Sequence, residues 1–248
     1  MEITVNGLII KEKAFKGDRI LLILTNNHGV VTAYAKGAKS PKSRFASSTE
    51  LFCYSHFVLT EKKDNYWVES ADIIDVFFGL RSSIEKISLA SYFCEISSLL
   101  SPVNDDSEEY LRLILNCLKF LENDKKSFLF LKSLYELRLL TMSGFMPDLV
   151  ACTKCGCFEN TSMNFFIDSG IIICEKCFEK SPLTDKNIKI PYSVLAAMRH
   201  IIYSPFDKLF SFTLADKPLK ILSDTCEEYL LTHIEYTPKT LVFLHSVI

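Results

Sequence analysis

Five of the nine cysteines in this 248-residue chain fall between residues 152 and 177, and four of them are paired: Cys152-x2-Cys155 and Cys174-x2-Cys177, with eighteen residues between the pairs. A C-x2-C turn aims two sulfurs at one point, and two such turns complete a tetrahedron of thiolates, a donor set that Zn2+ prefers. The intervening segment can bring the pairs together as a hairpin: residues 164–167 are apolar, Asp168-Ser169-Gly170 supplies a turn, and 171–173 return. A redox-active C-x2-C is the rival reading, but such sites carry one pair in a βαβ setting. The spacing therefore predicts a zinc site of Cys152, Cys155, Cys174 and Cys177, with Cys157 outside it. Four thiolates leave no coordination position for water or substrate, so the predicted metal is structural. Cys53, Cys94, Cys117 and Cys226 stand among apolar residues and read as small buried hydrophobes.

The second chemistry is charge. The net charge is −2, but residues 1–49 hold eight Lys or Arg against three Asp or Glu, a balance of +5 that leaves −7 for the rest. The densest piece is KGAKSPKSRF, residues 36–45, where Lys36, Lys39, Lys42 and Arg44 occur with no acid. Cations at this spacing on a Gly/Ser/Pro loop can follow a phosphate backbone. Equally, they can be a solvated loop that guards a strand edge. Aromatic residues adjoin the loop: Tyr34, Phe45, Phe52, Tyr54, Phe57, Tyr66 and Trp67. Most are expected to fill a core, and Phe45, inside the basic run, is the ring best placed to stack on a base.

No nucleotide cradle, H-E-x-x-H or G-x-S-x-G sequence is present, and His28, His56, His200, His233 and His245 are dispersed. Glu108-Glu109 and Glu227-Glu228 read as solvated helix faces. Catalysis is not indicated.

The elements that must position these groups are legible in outline. Strands are predicted over 3–15 (with Gly7 as a bulge or bend), 19–25, 30–35, 50–60 and 66–70, with turns at 26–29 and 61–65. Several are apolar on both parities, which favours a small closed barrel over a one-faced sheet. Helices are predicted from 81 to 100, from an N-cap at Asp105-Asp106-Ser107 through Leu121, over 127–142 with Gly144 as the stop, and over 192–203 and 219–235. The chain is 48% hydrophobic, enough for a core. Its first residues lack the pattern of a secretory signal, and no apolar run reaches membrane-spanning length, so a cytoplasmic protein without membrane contact is expected.

The basic loop KGAKSPKSRF, the string SGFMPDLVACTKCG at 143–156 leading into the second cysteine pair, and the ending YTPKTLVFLHSV at 236–247 together resemble the bacterial RecO family of DNA repair proteins. The resemblance covers essentially the whole chain. It implies an α+β protein: an N-terminal OB-fold barrel (1–80), a helical domain (81–147), an inserted four-cysteine zinc hairpin (148–182) and C-terminal helices packed on the helical domain (183–248). It also implies a nucleoid-associated recombination mediator rather than an enzyme. Such a protein binds single- and double-stranded DNA, anneals complementary strands and works with RecR and the SSB C-terminal tail to load RecA. Carried over by position, Lys36, Lys39, Lys42 and Arg44 would contact DNA and the four paired cysteines would hold structural Zn2+. Lysine meets phosphate as a point charge without arginine's bidentate fork, so DNA binding is expected to be weak and salt-sensitive. The alternative is a zinc-ribbon adaptor that binds protein and no DNA.

Overall fold

The computed structural model describes residues 1–248 apart from Pro41, Lys63, Asp64, Asn104 and residues 181–184. The middle of the predicted turn at 61–65 and the predicted boundary at 182/183 lie outside the described residues. The strands are β1 (Glu2–Phe15), β2 (Asp18–Thr25), β3 (Val30–Ala35), β4 (Tyr54–Lys62), β5 (Asn65–Asp75), β6 (Ser162–Phe166), β7 (Ile171–Cys174) and β8 (Asn187–Pro191). The helices are α1 (Ile84–Leu100), α2 (Glu108–Glu122), α3 (Phe128–Met142), α4 (Glu175–Lys180), α5 (Tyr192–Tyr203), α6 (Asp216–Ile234) and α7 (Lys239–Val247). They form two compact units, Met1–Lys125 with Pro238–Ile248, and Lys126–Thr237. No helix among the described residues is long and apolar enough to cross a membrane.

In the first unit β1 to β5 close into a barrel in the order β1-β2-β3-β5-β4, with β1 pairing β4 and with β3 parallel to β5. This is the five-stranded OB-type arrangement. Alternation sets its interior: Leu21 and Ile23 of β2 and Val31, Ala33 and Ala35 of β3 enter the core with Phe57, Leu59 and Val68. The bulge expected at Gly7 falls instead at Ile10, between the paired positions Ile9 and Lys11. Gly7 serves close packing: a Cβ there would lie 2.5 Å from Cγ2 of Ile23. The strand expected from residue 50 begins only at Tyr54, because Phe52 takes a left-handed backbone (φ 67°) while its N–H bonds the Ile9 carbonyl.

α1 packs along α7 and on β1. The N-terminus of α7 is held from α1: the Glu95 carboxylate accepts the backbone N–H groups of Lys239 and Thr240. Ser107 stands at the α2 N-cap as expected, but its hydroxyl turns to the β2–β3 turn, donating to Thr25 O at 2.6 Å and accepting from Gly29 N at 3.0 Å. Gly29 has φ +64°, and a Cβ there would sit 2.2 Å from the Pro102 carbonyl oxygen. Gly29→Ala is therefore expected to cost about 2–4 kcal/mol, left-handed strain plus a backbone clash. Chemical denaturation followed by the chain's single tryptophan, Trp67 of the barrel, would read this as an earlier unfolding midpoint.

The second unit is built round α3, which packs on α5 and α6 and is buried on almost every side. Its amphiphilicity is weak in sequence because it has no wet face. Lys132, with a side chain 4% exposed, lies inside it between Glu136 one turn on and Glu227 of α6. Glu227, read from sequence as part of a solvated face, is thus turned inward to a buried cation. β6 is the central strand of a small antiparallel sheet, β7-β6-β8.

Candidate functional site

The predicted hairpin forms as β6 and β7, with Gly170 (φ +65°) closing the turn by donating to Phe166 O. It brings the second cysteine pair back to the first. Cys174 ends β7 and its N–H points at Cys152 Sγ, 3.3 Å away, while Thr153 N bonds Ile172 O. The knuckle at 152–157 is closed by Gly156 N to Cys152 O, with Gly156 at φ +70°. Arg199 of α5 clamps the chain on both sides of it, donating to the carbonyls of Leu149, Val150 and Phe158 with its guanidinium 4.0 Å from the Phe158 ring centroid. Nothing in the local sequence marks Arg199 for that task.

The four sulfurs of Cys152, Cys155, Cys174 and Cys177 lie within 4.8 Å of one another, with Cys155 and Cys174 3.7 Å apart. A tetrahedron with Zn–S bonds of about 2.3 Å separates its sulfurs by roughly 3.8 Å, so the donors fit that ion. Cys157 turns away to Glu159 O. Burial acts to raise the Cys152 thiol, but the backbone N–H groups of Cys174, Lys154 and Cys155 outweigh it and bring it down to about 6. Cys177, hydrogen-bonded to the Cys155 and Cys174 thiols, is pushed up to about 12. One sulfur ionises readily and suppresses its neighbours; a divalent cation at their centre stabilises all four as thiolates. Elsewhere, burial pushes the Cys53, Cys94, Cys117 and Cys226 thiols up, which keeps them protonated and inert.

The basic loop is a series of turns rather than a free excursion. Hydrogen bonds run from Ser40 N to Gly37 O, Ser43 N to Ser40 O and Ala46 N to Ser43 O. Ala38 and Phe45 pin it into the barrel core, and buried Arg19 donates to Ala46 O at 2.7 Å and Thr49 Oγ1 at 2.9 Å. So held, the loop leaves Lys36, Lys39, Lys42 and Arg44 exposed. The three lysines make no ion pair among the described residues, whereas Arg44 donates to Glu69 O and lies 4.7 Å from the Phe45 ring centroid. Arg19, counted with the basic residues in sequence, is a structural tie.

The aromatic expectations need correction. Phe45 is 7% exposed in the barrel core, so it anchors the loop and has no face free for a base. Tyr34 and Trp67, expected to fill the barrel, lie half-buried outside its core with their rings stacked at 5.3 Å. Parity was the available signal: Tyr34 alternates with the interior Ala33 and Ala35. The loop also has a basic neighbour that sequence distance conceals. The β1–β2 hairpin carries exposed Lys13, Phe15 and Lys16 and joins the loop through Lys39 N to Gly17 O and Gly37 N to Asp18 Oδ1.

Comparison with known proteins adds a family to this geometry. The model for the N-terminal part of recombination protein O matches residues 1–77, and that for its C-terminal part matches residues 81–241. The chain is 34% identical over 245 residues to the DNA repair protein RecO of Acetivibrio thermocellus, covering 98% of this chain and 96% of that one. It is 30% identical over 241 residues to the DNA repair protein RecO of Dehalococcoides mccartyi, covering 97% and 93%. With the one from Thermoanaerobacter it shares 26% over 235 residues, covering 93% and 91%.

Proposed function

The chain belongs to the RecO family of DNA repair proteins, and from that premise we propose that it is a recombination mediator that works on DNA without making or breaking bonds. In this reading the barrel, residues 1–80, binds single- and double-stranded DNA. The protein anneals complementary strands in the bacterial cytoplasm, at the nucleoid, and with RecR it helps load RecA on SSB-coated strands. The helical segments, 81–147 and 183–248, and a structural Zn2+ within 148–182 supply the body that meets its protein partners. The observation that carries the reading is the set of four exposed cations, Lys36, Lys39, Lys42 and Arg44, on a loop tied down at Arg19, Ala38 and Phe45. Two strands brought together repel through their phosphates, and a basic surface held in fixed geometry offsets that repulsion locally.

The test is fluorescence anisotropy of labelled single-stranded DNA across a salt series, wild type beside the variant with Lys36, Lys39, Lys42 and Arg44 all changed to alanine. Four phosphate contacts give a log–log slope near −2.8, roughly −0.7 for each contact on single strands. The variant is expected to bind more weakly with a flattened slope. A wild type that fails to bind at low salt sinks the proposal in favour of a protein-binding adaptor.

A further inference from the structure

The outer wall of the barrel carries a row of residues that the register sets side by side. Lys13 of β1 pairs with Ile20 of β2, Ile20 with Tyr34 of β3, and Tyr34 with Trp67 of β5. Residues directly opposite in a ladder share a face, and this face is the outer one, because the flanking Leu21, Ala33, Ala35 and Val68 point into the core. At neighbouring strand spacings of about 4.8 Å, the row spans roughly 14 Å. Its far end is aromatic. The Tyr34 and Trp67 rings stack at 5.3 Å with their planes 25° apart, both half-buried, and Lys62 Nζ lies 5.6 Å from the Trp67 centroid. Tyr34, Lys62, Asn65 and Trp67 line an open concavity of about 560 Å³.

Two large rings stacked on the outward face, with Lys62 beside Trp67, present apolar ring surface next to positive charge. The ligand that satisfies both is a planar base attached to a phosphate. A duplex keeps its base faces stacked inside, whereas a single strand can turn one outward. We propose that Tyr34 and Trp67 form a base-stacking surface that takes unpaired bases and makes the barrel bind single-stranded DNA more tightly than duplex. The proposal rests on the DNA-binding reading above and divides the labour within it. The cationic loop holds phosphates of either form, and the ring pair discriminates between them. It also replaces Phe45, whose burial removes it from that role.

Trp67 is the chain's single tryptophan, so the stacking surface carries its own reporter. The full chain would be titrated with oligo-dT and, separately, with a blunt duplex of equal length. Intrinsic emission and the anisotropy of a label on the DNA would be followed together. Oligo-dT is expected to quench Trp67, and the duplex to bind without quenching. Tyr34→Ala should lower the single-strand to duplex affinity ratio about ten-fold, the usual scale for losing one stacked base. Tyr34→Phe should retain the ratio. Should Tyr34→Ala fold poorly, Tyr34→Leu removes the ring while keeping apolar cover and should give the same loss. Oligo-dT binding by anisotropy with unchanged Trp67 emission, and an unchanged ratio in Tyr34→Ala or Tyr34→Leu, would overturn the stacking surface while leaving DNA binding by the loop intact. No binding of either DNA by wild type would overturn the stacking surface together with the reading it rests on.

Discussion

Cys174→Ser is expected to abolish stoichiometric metal binding and to lower the melting temperature in the same preparation. The substitution removes one of the four sulfurs that lie within 4.8 Å of one another, at the end of β7, while the backbone N–H that points at Cys152 Sγ is retained. A hydroxyl in its place is a poor zinc ligand, and three thiolates without the metal repel one another. In zinc-finger peptides the ion contributes on the order of 10 kcal/mol. Here β6, β7 and β8 form a sheet of their own, so a smaller share is expected. A loss of about 3 kcal/mol would lower the melting temperature by roughly 10 °C or more. Metal analysis beside calorimetry decides the matter. Lost metal with an unchanged melting temperature would show that the ion does not support the fold, and the structural assignment would fall.

Lys132→Met is expected to destabilise the second unit by about 3–5 kcal/mol, the scale for breaking a buried ion pair from one side. The ammonium is 2.8 Å from Glu136, whose side chain is fully buried, and 2.7 Å from Glu227 at 22% exposure. Without the lysine, the buried Glu136 loses the cation 2.8 Å from its carboxylate, whereas Glu227 can turn to water. Lys132→Met combined with Glu136→Leu should therefore recover much of the loss, because it removes the charge as well as its partner. A double variant no more stable than the single one would contradict this account.

The pH dependence follows from the same pair. Burial acts to lower the Lys132 pKa, but the two carboxylates outweigh it and hold it above 10.5. A lysine raised on folding contributes its full stabilisation below the unfolded value of about 10.4 and loses it as pH rises through the folded one. The stabilisation that Lys132 contributes in the wild type should be constant through neutral pH and fall only at the alkaline end of denaturation curves.

How legible the molecule was differs by element, for physical reasons. α1, α2, α3 and α5 fall close to their predicted ranges, because caps, stop residues and helical periodicity act within a few residues of chain. The cysteine pairs and their hairpin were legible for the same reason: ligand spacing and turn chemistry are both short-range. α7 and β8 were not. Nine residues of helix become stable by docking on α1, where Glu95 reaches amides more than 140 positions away, and five residues of strand by joining the edge of β6. Phe45, Tyr34 and Trp67 show the same limit within one barrel. Composition could place aromatic rings near a basic loop, but closure and register decide which rings face inward. Lys132 and Arg19 are ties inside their units, which local sequence does not announce, since a charge is buried only when partners arrive from elsewhere in the chain. The sequence by itself determined the donor set, the charge of the loop and most helix limits, because those depend on neighbours along the chain. The tertiary structure decided which side chains are anchors and which remain open to a ligand, because burial is settled by contacts between residues far apart in sequence.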